Sequence, residues 1–218
     1  MTTITTPDTS ALLSLVQWLS PAFPTGAFAY SHGLEQAVVM GDIVDADTFA
    51  AWLAAILDHG TGWNDAVLLA CALRADADFA VLGQTARALA GSAERLRETT
   101  EQGAAFAMAR GQMGQADAVP EALPVTVGRA ACGLGLPAQT VIAVFLHAFA
   151  SNLTSAAVRF VPLGQAAGQK VLAAQHARIA ALAQRAAGAT LDALASGAFR
   201  AELFAMAHET LEVRIFKT

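Results

Sequence analysis

Five histidines, two cysteines and a modest set of acids are the residues of this chain that could do chemistry. His32, His59, His147, His176 and His208 are far apart in sequence, so any catalytic or metal-binding cluster would have to be assembled by the fold. His208-Glu209 opens like a His-Glu-x-x-His zinc motif, but the fifth residue is Glu212, so the second ligand is missing. His32 and Glu35 share one helical face at i,i+3, enough for a weak two-ligand site and no more. The run from Gly164 to Lys170 has neither the spacing of a phosphate loop nor a Ser or Thr after its lysine. No Gly-x-Ser-x-Gly elbow and no Cys-x-x-Cys pair occurs. Cys71 and Cys132 stand alone among apolar neighbours, as reduced core thiols of the cytosol do. No catalytic, cofactor or metal residue is therefore assigned.

Composition narrows the class of protein that must position these groups. Of 218 residues, 55% are hydrophobic and only 14% charged, so helices should carry wide buried faces. Alanine and leucine dominate and strand formers are sparse, which points to an all-α fold of one domain. A net charge of −5, with Lys170 and Lys217 as the only lysines, favours neither a nucleic-acid partner nor an anionic membrane surface. The threonine-rich Met1–Ser10 lacks the basic and apolar parts of a secretory signal. The uncharged span Ala130–Val158 is interrupted by Pro137, Gln139, His147, Ser151 and Asn152 and reads as a core helix rather than a membrane span.

Helical spacing places elements over about 11–19, 30–40, 48–57, 62–74, 76–90, 93–113, 137–159 and 163–187, with Asp47 or Thr48 as a cap. The helix over 137–159 is the expected centre of the fold. Its apolar row runs through Ile142, Leu146, Phe149, Leu153, Ala156 and Phe160, and His147, Ser151, Ser155 and Arg159 form a polar stripe opposite. That stripe is either a satisfied seam between helices or the wall of a wet groove. In the helix over 93–113, Leu96, Thr100, Gly103 and Ala107 form a narrow face suited to close packing. Glu94, Arg97, Glu98 and Glu101 form a charged one. Leu211–Phe216 alternates apolar and polar like a strand with no sheet to join, so it should dock on something or lack order.

The most distinctive stretch is Ser20–Glu35. Pro21 and Pro24 stiffen it, Gly26 and Gly33 allow unusual backbone angles, and Phe23, Phe28 and the single tyrosine, Tyr30, fill the gaps. It is either a buried, proline-stiffened connection or a rigid recognition surface. Ser20, Pro21, Pro24, Gly26, Phe28, Tyr30, Ser31, Gly33, Leu34 and Glu35 resemble the signature of the UreF family of urease accessory proteins. Glu98–Gly103, Asn152–Gln169 (with Ala157-Val158-Arg159 and Pro162-Leu163-Gly164-Gln165) and Met206–Thr210 match further family stretches in order.

The resemblance implies a single compact multi-helix bundle of the UreF type over residues 1–218. Residues 1–9 would be a flexible tail and 208–218 a partner-binding tail. It implies a cytoplasmic, non-enzymatic adaptor in nickel delivery to apo-urease, bridging the accessory protein UreD (UreH) and the GTPase UreG, and forming a homodimer. Tyr30, Ser31 and Glu35 would face a partner, together with Met206, His208, Glu209, Thr210, Arg214 and Phe216. On that expectation, Tyr30→Ala loses partner binding with little change in fold. Leu211-Glu212-Val213 departs from the family continuation, while Arg214 aligns. The alternatives from the residues alone are a helical hydrolase built on scattered histidines and metal, or a bundle that binds an apolar ligand.

Overall fold

The computed structural model describes residues 8–115, 119–161 and 163–217; the expected flexible tail lies largely outside them, at 1–7. Among the described residues there are eleven α-helices, three short 3-10 turns and no strand. Local chemistry sets the helix starts. Asp8 caps α1 (Thr9–Trp18), Asp78 caps α5 (Phe79–Ala88) and Ser92 caps α6 (Ala93–Gln112), each by accepting backbone N–H bonds. The start of α3 (Ala46–His59) is a full capping box: Asp45, not Asp47 or Thr48, is the cap, and Thr48 returns the bond to it.

The helix enclosed on every side is α4 (Thr61–Ala72), where each residue from Gly62 to Ala72 is buried. A helix buried all round belongs at the centre of a bundle. It is surrounded by α3, α5, α7 (Leu123–Ala131), α8 (Ala138–Phe160) and α10 (His176–Ala187). α8 packs along α10 and α9 (Gln165–Ala174), and its expected row holds: Ile142, Leu146, Leu153 and Ala156 are buried. By length and composition α8 could cross a membrane, yet half of its apolar window is buried in this bundle. Apolar burial forms one connected cluster from Leu15 to Phe216.

Two expected helices are corrected. The segment 163–187 is two helices, broken at Gln175, whose N–H tightens onto Leu172 O and whose Oε1 accepts from Arg178 Nε. No glycine or proline marks that break. The helix expected from Tyr30 begins at Leu34, as α2 (Leu34–Val39), because His32 and Gly33 have φ of 53° and 75°. Such angles cannot continue an α-helix.

A buried ionic cluster under the C-terminal segment

The Ser20–Glu35 stretch is built to bring Glu35 against the end of the chain. The Ser20 hydroxyl accepts from Ala22 N after α1, Gly26 turns left-handed, and Tyr30 is extended. Gly33 then meets the backbone of α11 (Phe199–His208): a Cβ there would lie 2.9 Å from both Ala201 O and Ala205 N. Glycine is therefore needed twice over, for its φ and for the close approach of two helices.

Across that contact, His208 is fully buried between two carboxylates. Its Nδ1 lies 2.8 Å from Glu94 Oε2 and its Nε2 3.0 Å from Glu35 Oε2. Each ring nitrogen therefore has a carboxylate oxygen within hydrogen-bond distance. Glu35 also accepts backbone bonds from Ile215 N and Phe216 N, each at 2.9 Å. Glu94 completes the set by accepting from Arg214 Nη1 at 2.7 Å. The alternating tail therefore forms no strand. Its backbone donors are satisfied by one buried carboxylate rather than a sheet edge.

A second knot continues along α6. Glu98 Oε1 is 2.9 Å from His32 Nε2 and accepts from Gln102 Nε2, while Arg95 spans Glu98 and Asp65. Burial drives the Glu98 carboxyl upward, but His32 and Arg95 outweigh it and hold it below the usual range. For Asp65, burial wins over Arg95 and the carboxyl is raised. Four buried carboxylates (Glu35, Glu94, Glu98 and Asp65) thus face His208, Arg214, His32 and Arg95. His32, Asp65, Arg95 and Glu98 also form a common wall between two small cavities of about 60 Å³ each.

The last residues are held by further contacts with the same stretch. Lys217 N donates to Ala29 O, and the Tyr30 hydroxyl donates to Glu101 Oε2 at 2.8 Å. Burial first, and then the Glu101 bond, raise the Tyr30 phenol far above its ordinary range. Phe216 is buried against Phe160 and beneath the Arg159 guanidinium, which also donates to Phe28 O.

The residues expected to face a partner divide in two. Met206, Glu209, Thr210 and Arg214 are exposed, although Glu209 also accepts from Ala93 N at the start of α6. Tyr30, Ser31, Glu35, His208 and Phe216 are buried. The outward orientation expected for Tyr30, Ser31 and Glu35 is corrected: their polar groups are taken up by α6, α2 and the tail. His32 and Glu35 bind different partners, so the two-ligand site at i,i+3 is not formed. Among the described residues, no group of three or more His, Cys, Asp and Glu could hold a metal ion.

The charged face that the sequence pattern gives Glu94 and Glu98 is interior. A signal was present: the row 94, 98, 102 continues one turn on into Phe106, which is fully buried. The polar stripe of α8 also divides. Arg159 joins the tail, while His147 and Ser151 line an apolar groove with His176. There, partial burial and then the neighbouring His176 hold His147 below the usual histidine range.

The sequence profile of the UreF family matches residues 43–176. The chain is also 60% identical to the urease accessory protein UreF of Cereibacter sphaeroides ATCC 17023, over 96% of this chain and 99% of that one. The chain belongs to the UreF family. Identity is 50% to the UreF of Paracoccus denitrificans Pd 1222 over the whole of both chains, and 49% to that of Jannaschia sp. CCS1 over 96% of each. UreF relatives are named for an accessory rather than a catalytic role, and this chain is accordingly an accessory protein, not an enzyme. The buried cluster joins the signature stretch at 20–35 to the C-terminal residues 206–216, which begin with the family-like Met206–Thr210.

Proposed function

We propose that this protein serves urease maturation as an adaptor in nickel delivery to apo-urease, bridging UreD and the GTPase UreG. It would act in the cytoplasm and as a homodimer. Its partners are proteins, not nucleic acid or membrane. The observation that carries the reading is the docking of residues 209–217 onto the signature stretch through Glu35, Glu94 and His208. That docking fixes a composite outer face. Buried groups set its shape, while Val213 and Ile215 on the tail and Phe199, Leu203 and Met206 on α11 supply exposed apolar surface. Exposed apolar side chains gathered on one element mark protein-binding faces. On this reading the signature residues shape the recognition surface from beneath rather than touching the partner.

Co-purification with UreD and UreG tests it. A chain ending at Ala205 should lose the complex, and a full complex from that chain would overturn the assignment. Because truncation also uncovers Glu35 and Glu94, the second variant is Val213→Asp with Ile215→Asp. Both side chains are exposed, so the fold should survive while partner capture falls.

A further inference from the structure

A second feature lies away from the ionic cluster, on the outer side of α8 and α10. His147 on α8 and His176, the first residue of α10, face each other with ring centres 5.4 Å apart and planes inclined by 46°. They stand in a groove of about 600 Å³ whose other walls include Val16, Leu19, Val144 and Ile179. Neither imidazole makes a hydrogen bond or ion pair with another described residue. Ser151, one turn after His147, lines the same wall.

We propose that this pair is a bis-histidine site for a divalent first-row transition ion. With metal–nitrogen bonds of about 2.0–2.1 Å, two imidazoles sharing a tetrahedral ion have ring centres ~5 Å apart. The observed 5.4 Å matches that spacing. Donor chemistry selects the class of ion. Among the described residues neither a carboxylate, which calcium or magnesium would need, nor a thiolate lines the groove, whereas imidazole suits zinc, nickel and copper. α8 and α10 pack directly on each other, so the two ligands are held by rigid elements rather than loops. Water completes the coordination on the open side. The site needs none of the residues assigned to the adaptor role, so either reading can fail without the other.

Zinc chloride titrated calorimetrically into the chelator-treated full-length protein tests the site. Saturable binding of about one ion per chain is expected, weakened at least about tenfold by His147→Ala and by His176→Ala. Both side chains are exposed, so circular dichroism and melting temperature should not change. His59→Ala, an exposed histidine on α3, is the control and should bind like the parent protein. Binding by the parent protein no tighter than by the His147→Ala/His176→Ala double variant, or an equal loss in His59→Ala, would overturn the site. Half an ion per chain would also overturn it, by placing the ion between two copies.

Discussion

α6 and α8 are both long helices of the bundle, and they bury opposite chemistry. α8 buries Ile142, Leu146, Leu153 and Ala156 and turns its polar stripe outward. α6 buries Glu94, Glu98, Thr99 and Gln102 alongside Phe106 and leaves Leu96 and Met108 exposed. The difference lies in where the partners come from. An apolar face needs only another apolar face, and any neighbour supplies one. A buried carboxylate needs a specific donor, and several of those for α6 come from far away in sequence: His208 and Arg214 for Glu94, and His32, beside the local Arg95 and Gln102, for Glu98. α8 is held by packing, α6 by satisfied charge.

The largest test of that contrast is His208→Ala. It leaves Glu35 and Glu94 buried without the ring between them, and breaking a buried pair from one side costs about 3–5 kcal/mol. Urea unfolding should show this loss; a change below about 1 kcal/mol would mean that water reaches the acids. Leu146→Ala in the fully buried row of α8 should cost about 2–4 kcal/mol.

Glu98 gives the contrast a pH signature. Its folded carboxyl is depressed, so its contribution is fully present above the unfolded value of about 4.3 and is lost as pH falls through the lower folded value. Stability measured from pH 6 downward should fall on the acid side, and Glu98→Gln should flatten that limb; an unchanged limb would remove Glu98 as its source. Tyr30→Phe keeps the buried ring and removes only the bond to Glu101, so a loss of about 1 kcal/mol is expected in thermal unfolding. Tyr30→Ala, by contrast, should lower the melting temperature strongly, because the ring is only 3% exposed. The smallest effect belongs to Asp42→Ala, which removes the ion pair with the largely exposed Arg200 and should cost under about 1 kcal/mol.

How much was legible follows the same division. The all-α class and the apolar row of α8 could be read from composition and periodicity, because there residue type predicts burial. The site was only half visible. Its two ends stood out, at 20–35 and 206–216, but their meeting did not, since Gly33 shows a need for positive φ without naming α11 as the backbone it approaches. The break at Gln175 was silent because a buried side chain and a tightened turn make it, not a glycine or proline.

The sequence by itself determined that this is a helical UreF-like chain with no catalytic motif and with distinctive residues near both ends. Only the tertiary structure decided that those ends close on each other around His208, that the acids of α6 are interior, and that His147 meets His176. The physical reason is range. Helix propensity, capping and apolar periodicity act within a few turns, whereas a buried charge is stable only beside a donor that another part of the chain must deliver.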